Sequence, residues 1–279
     1  MNKKKIHSLA MFIAIPFILT GGVILYFLFF EDQEDWFKYL FPVVIILATL
    51  YTLHPKIDFW WHKKHPPELD QKLKKLISTA SPFFLTLSEE GKRKFLDRLS
   101  IFIHHKAFYI MRQEKEEMPI DMKVVVALNG ITLTFNEDNY FYDKFDYFIV
   151  YQHPFPTPAR QALHSVEVNY VDGVMLFNSD QLFRSSILKT VGFNVGLYAF
   201  AEVYLNNFPM SDIAQMDEPD LLVIDQFEVI SLKRIYQEIG YKEVYAKAII
   251  ISLYFSYPEE LSKYYPDYFE TCTNAFAPV

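Results

Sequence analysis

Two apolar runs open the chain, and a third stretch of different character lies further along. Leu9 to Phe30 is 22 residues without a charge, and Phe37 to Leu53 is 17 residues with one, Lys38. Each is long enough to cross a bilayer as a helix. The third stretch, FNVGLYAFAEVYL from Phe193 to Leu205, reads as a helix buried on more than one side. Its apolar residues Val195, Leu197, Phe200, Ala201, Val203 and Tyr204 nearly surround the axis. Tyr198 and Glu202 stand four apart and so share one face.

The flanks of the first two runs set an orientation. Lys3 to Lys5 precede the first run, while Lys56, Lys63 and Lys64 follow the second; the connecting EDQEDW is acidic. Basic flanks stay on the cytoplasmic side. The expectation is a helical hairpin with a short external turn and a cytoplasmic domain. Trp36, Phe59, Trp60 and Trp61 sit where an aromatic belt belongs. A cleaved signal peptide is the competing reading, but the first run is longer than a signal core and a second run follows at once. In the other alternative, Phe37 to Leu53 lies on the membrane rather than through it. The organisation predicted is an anchor over 1–61, a juxtamembrane linker over 62–81 and a domain over 82–279.

Within that domain, Ser88 is placed to cap a helix whose apolar face runs from Phe95 to about Phe108. Leu69 to Ile77 has a helical pattern and reads as a basic linker piece. Lys123 to Leu128 is rich in Val and reads as a strand. Asn129-Gly130 then reads as a turn or bulge, and Ile131 to Phe135 as a second strand or a short helix. Tyr147 to Tyr151 is a further strand. Val166 to Asn169 and Val174 to Phe177 flank Asp172-Gly173 as a hairpin. Asp180 is a candidate cap for a helical region from Arg184 to Leu205, where Gly192 and Gly196 permit close backbone approach. Further helices are expected in the second half of Leu221 to Gly240, over Lys242 to Tyr257, and over Glu259 to Phe269. The fold class is α+β, mainly helical with a small sheet.

Composition narrows the chemistry. The 279 residues carry a formal net charge of −7, which weighs against a nucleic-acid partner. Cys272 is the single cysteine, so no intramolecular disulfide forms, and it has no obvious His partner for nucleophilic catalysis. Zinc-protease helices place two His at i and i+4 with a Glu between them as general base. Here the corresponding slots hold Tyr198, Ala199 and Glu202, of which only Glu202 is a ready metal donor. On local chemistry alone this is a packed core helix with one paired or solvent-facing acid. A relocated site built on His153, His164, Glu167 and Asp172 is disfavoured, since His164 and Glu167 are three apart near a strand and should face opposite ways.

Beyond local chemistry, Asn194-Val195 followed by YAFAEVYL resembles the N-V-x-x-H-E-F-A-H-x-L-D segment of the glucose-regulated zinc metallopeptidases of the MtfA type. LSEEGKRKFLDRLSIFIHHKAF, FIVYQHPF and GVMLFNSDQL resemble further segments of that family in the same order, and VALNGITLTF occupies the place of another. The resemblance runs from about Leu87 to Phe276 and implies a zincin-like fold. It places Tyr198, Ala199 and Glu202 where the family has His, Glu and His. Counting back from Pro258, the third zinc ligand falls on Tyr245, and a later Glu of the motif falls on Ser252. The resemblance thus implies a scaffold whose catalytic and metal residues are replaced. It implies no cofactor and leaves the family's transcriptional-repressor partner without a matching surface.

Three functions follow as expectations. The first is a membrane-tethered, catalytically inactive binding or regulatory module with a protein or peptide partner in or near the bilayer. The second is a zinc-dependent peptidase anchored on Glu202 with ligands from loops. The third is a structural membrane protein without a ligand. Tyr198 and Tyr245 are expected to fill the former metal position and to hydrogen-bond Glu202.

Overall fold

The structure, a computed structural model, describes residues 8–30, 34–111, 115–186 and 192–278. Lys3 to Lys5, part of the expected external turn (Glu31–Gln33) and part of the expected helical region from Arg184 (residues 187–191) lie outside them. The chain divides into two compact units, 1–68 and 69–279.

In the first unit, α1 (Leu9–Phe30) packs along α2 (Phe37–Lys64), joined through a 3-10 turn at Glu34–Trp36. Both helices are long and apolar enough to cross a membrane, with mean hydropathy 2.3 and 1.6. Most of their large side chains face outward, among them Met11, Leu19, Phe29, Phe37 and Phe41. The pair is tied at one end by Asp58, which accepts from Ser8 Oγ at 2.6 Å and from the Ala10 amide at 3.1 Å. That carboxylate satisfies a donor of the first turn of α1 from a different helix. The helix expected over Phe37 to Leu53 continues eleven residues further, to Lys64, through Pro55. Proline removes the amide that would bond the Tyr51 carbonyl; His54 Nδ1 stands 2.6 Å from that oxygen and takes the place of the missing donor.

The second unit begins with α3 (Gln71–Ala80) and α4 (Pro82–Thr86), followed by α5 (Glu89–His105). The expected linker piece is part of this unit's core, because Leu73 and Ile77 of α3 are buried in it. Ser88 caps α5 as expected, its Oγ accepting from the Gly91 amide at 3.1 Å. The helix stops at His105, short of Phe108, because the next residues join a sheet. Strand β1 (Ala107–Met111) pairs with β2 (Lys115–Glu117) and, in parallel, with β3 (Tyr147–Tyr151). At the junction Lys106 is buried, its Nζ 2.9 Å from Asp146 Oδ1.

Between β2 and β3 runs α6 (Ile120–Leu133), where a strand over Lys123 to Leu128 and then a second strand or a short helix were expected. The ten residues Val124 to Leu133 are all buried. β-Branched residues favour strands only where a half-buried pleated surface awaits them. Here α3 and α5 pack against α6, and so does α8. An element apolar all round suits that enclosure better than an edge of the sheet.

The hairpin of β4 (Val166–Asn169) and β5 (Val174–Asn178) forms as expected, turning through Gly173 at φ +63°. The sheet order is β2-β1-β3-β5-β4, parallel in its middle and antiparallel at both edges. Alternate residues of β1, β3 and β5 are buried. On the inner face, Phe200 stacks against Phe148 at 5.7 Å and Phe177 at 6.2 Å.

After β5 come α7 (Ser179–Ser186) and α8 (Val195–Asn207). Asn178, not Asp180, receives the Gln181 amide at the start of α7. Gly196 permits a close approach: a Cβ there would stand 2.5 Å from Asn129 Nδ2 and 2.7 Å from Leu182 Cδ1. The remaining helices are α9 (Asp212–Gln215), α10 (Leu232–Ile239), α11 (Ala246–Ser256), α12 (Pro258–Tyr264) and α13 (Pro266–Phe276). The final helix expected over Glu259 to Phe269 is two helices, because a residue before proline avoids the helical region, and Tyr265 sits at φ −134°, ψ 61°.

Candidate functional site

Helix α8 carries the site. Asn194 starts it by accepting from the Leu197 amide at 3.0 Å. All residues from Val195 to Tyr204 are buried, including Tyr198 and Glu202. The helix contacts α6, α7, α11, β4 and β5, so its polar side chains have little solvent to face.

Tyr198 and Tyr245 meet through an unexpected pair of atoms. The Tyr198 hydroxyl accepts from the backbone amide of Tyr245 at 3.3 Å. Tyr245 stands just ahead of α11, which starts at Ala246 rather than Lys242, and its side chain is half exposed. The Tyr241 phenol lies beside that of Tyr198. Burial pushes the phenols of Tyr198 and Tyr241 well above their ordinary range, so both remain protonated.

The expected bonds from Tyr198 and Tyr245 to Glu202 do not form. Tyr170, from the β4–β5 turn, donates to Glu202 Oε1 at 3.3 Å and is the single hydrogen-bond donor to this carboxylate among the described residues. The Tyr170 hydroxyl in turn accepts from Asn206 Nδ2 at 2.7 Å. Burial raises the Glu202 carboxyl to about 7, opposed by the Tyr170 bond and by the charge of Arg160. Arg160 lies 3.7 Å over the ring of Tyr241 and pairs with Glu243 at 3.1 Å. Sequence reasoning missed Tyr170, Arg160 and Tyr241. Tyr170 had one usable signal, its place in the Asp172-Gly173 turn; the other two had none.

His164 and Glu167 correct another expectation. They face each other, Nε2 to Oε2 at 3.1 Å. His164 belongs to an isolated bridge with Phe155, and β4 starts only at Val166, so strand alternation does not extend back to it. Thr157 Oγ1 donates to the same Glu167 oxygen at 2.6 Å, and His164 Nδ1 contacts the Ala162 carbonyl at 2.8 Å. His153 is exposed beside Asp180 at 3.9 Å, and Asp172 accepts from Asn169 within the hairpin turn. Cys272 is buried and its thiol is pushed up by burial, which keeps it inert. Ala199 is buried and Ser252 donates to the Asn194 carbonyl at 3.1 Å, so neither is placed to move a proton.

Residues 58–176 match the sequence model of the glucose-regulated metallo-peptidase M90 family. The match takes in α3 to α6 and the strands as far as Leu176 in β5, and ends before α7 and α8. No curated protein matches the chain.

A catalytic zinc site needs three deprotonable N, O or S ligands and one open position. Tyr198 is a buried, protonated phenol engaged with a backbone amide, and Tyr245 reaches it through its main chain. Glu202 is then the one ready donor of the three. Among the described residues, no group of three or more His, Cys, Asp or Glu side chains is placed to hold a metal ion. The residues present do not fit the metal that the M90 name implies. Residues 58–176 thus carry a distant match to the M90 family, and the described residues include no intact metal-binding cluster. A cavity of about 260 Å³ lies elsewhere, at the N-terminal end of α8, lined by Asn129, Ser186, Asn194, Leu197 and Tyr257 among others.

Proposed function

We propose that the chain is a membrane-tethered, non-catalytic relative of the M90 metallo-peptidases that acts as a binding or regulatory module. The observation that carries this reading is the Tyr198–Tyr245 contact. Tyr198 and Tyr245 are the residues that the sequence resemblance sets against two of the family's zinc ligands, and here a phenol and a backbone amide are joined instead. The placement of both chain ends and the second unit in the cytoplasm belongs to the same reading, and rests on the basic flanks Lys3 to Lys5, Lys56, Lys63 and Lys64.

Two features support a peptide or extended protein segment as partner. β4 is an edge strand, a ready template for main-chain pairing. At its end Tyr170 and Val171 are 41% and 95% exposed, and Tyr245 is 50% exposed. Tethering in the bilayer would raise the local concentration of a partner held in the same membrane.

The test combines two measurements on detergent-solubilised full-length protein. Metal analysis with turnover of unblocked amino-acid anilides is expected to show no stoichiometric zinc and no hydrolysis; zinc with hydrolysis would overturn the reading. A photo-crosslinking residue replacing Val171, used in native membranes, is expected to capture one discrete protein; the same residue replacing Lys92 should not. A structural role without a ligand is the second reading, favoured by the 1% exposure of Tyr198, and absence of any crosslink would select it.

A further inference from the structure

Glu202 is a mostly buried carboxylate with one hydrogen-bond donor among the described residues, and its second oxygen is not an orphaned buried atom. It is 6% exposed, yet its Oε1 receives one long bond, from Tyr170, and no described residue donates to Oε2. Buried anions ordinarily carry two or three donors or a paired cation. Tyr170 is bonded to Glu202 while remaining 41% exposed, so the path from the surface to the acid is about one side chain long. The Tyr170 hydroxyl keeps a stronger bond, 2.7 Å to Asn206, if its contact with Glu202 is released.

The surroundings favour a cation over an anion or an apolar group. Tyr198, Tyr241 and Tyr245 stand nearby as phenols. Arg160 already lies on the Tyr241 ring at 3.7 Å, which shows that this tyrosine cluster accepts a cation. Arg160 pairs with Glu243 at 3.1 Å, and its charge also lowers the Glu202 carboxyl without a hydrogen bond to it. Glu167 already accepts from Thr157 Oγ1 at 2.6 Å and lies 3.1 Å from His164 Nε2, so it stands apart from this ligand. The net charge of −7 also draws cationic partners toward the chain.

We infer that the Glu202 carboxylate is the seat for a primary ammonium group carried by a peptide, reached past Tyr170. The ammonium exchanges the long Tyr170 bond for a charge-assisted one. This rests on the peptide-binding reading and names the chemistry its partner presents. A free N-terminus and a lysine side chain carry the same group. Because burial raises the Glu202 carboxyl to about 7, the seat is charged above that pH and neutral below it. The groups facing it are Tyr170, Tyr198, Tyr241 and Arg160, with Tyr245, Glu167 and His164 beyond them; burial raises the phenols of Tyr170, Tyr198 and Tyr241, so these three do not titrate in this range.

The test is calorimetric titration of the full chain in detergent with three tripeptide amides. One has a free N-terminus and no lysine, one is acetylated with lysine, and one is acetylated with glutamine. At pH 8 at least one ammonium-bearing peptide binds tenfold or more tightly than the blocked peptide, and which one identifies the source. The preference disappears at pH 5.5 and in Glu202→Gln. Equal binding of all three overturns the ammonium seat but leaves peptide binding standing. A preference that survives Glu202→Gln, or binding of none, also overturns the seat, while the crosslinking test judges the wider reading separately. Where Glu202→Gln fails to fold, wild type is titrated in methylammonium chloride against potassium chloride. Weakened peptide binding in methylammonium supports the seat, and unchanged binding overturns it.

Discussion

The hydroxyl of Tyr198 accepts a hydrogen bond from the backbone amide of Tyr245 at 3.3 Å, which joins α8 to the start of α11. The contact explains why α11 begins at Ala246. It gives Tyr198 a structural role at the position where the sequence resemblance expects a metal ligand. Replacing Tyr198 with Phe deletes the acceptor and leaves the ring in place. The expected loss is about 1 kcal/mol, seen as a lowered thermal midpoint. Tyr198→Ala also opens a cavity and is expected to lose about 3–5 kcal/mol.

Glu202 gives a pH dependence of defined sign. Its carboxyl rises from an ordinary 4.5 to about 7 in the folded chain. The folded state therefore holds the proton over a range where the unfolded state has released it. Its contribution is most favourable below pH 4.5 and is lost as pH rises to about 7, by roughly 3 kcal/mol. Wild type minus Glu202→Gln isolates this term from the other carboxylates. The Gln variant is expected to be the more stable of the two at pH 8, with the gap closing toward pH 4.5 in denaturant titrations.

Gly196 marks a close approach of α8 to its neighbours. Gly196→Ala is expected to destabilise by about 1–3 kcal/mol through overpacking against Asn129 and Leu182. Gly22→Ala on α1 meets no atom within 4 Å and is expected to be neutral or slightly stabilising. Thermal unfolding of both variants in one detergent checks the contrast.

Asp58 holds the start of α1 through Ser8 and Ala10. Asp58→Ala strands both donors and is expected to weaken the hairpin by about 1–3 kcal/mol. Asp58→Asn keeps an acceptor and is expected to lose less. Protease access to the N-terminal end of α1 in proteoliposomes reports the difference.

Local pattern was enough for some elements and not for others. The β4–β5 hairpin was legible because Asp172-Gly173 supplies the turn and the flanking residues are strand formers. The Ser88 cap was legible for the same kind of local reason. Lys123 to Leu128 was misread because its valines favour a strand in isolation, and only the helices that enclose α6 override that preference. β1 was hidden in the tail of α5, since Ala107 to Met111 becomes a strand only when β3 arrives to pair with it.

The site divides along the same line. The sequence by itself determined two helices able to cross a bilayer and a buried α8, and its resemblance to a peptidase family is what set Tyr198, Ala199, Glu202 and Tyr245 against metal and catalytic residues. These are properties of hydropathy, period and order along the chain. Only the tertiary structure decided that Tyr170 rather than Tyr198 or Tyr245 bonds Glu202, that His164 meets Glu167, and that Arg160 lies over Tyr241. Those contacts join segments tens of residues apart, or lie where strand pairing changes partner. Their geometry comes from how the sheet and α8 pack, which no local pattern records.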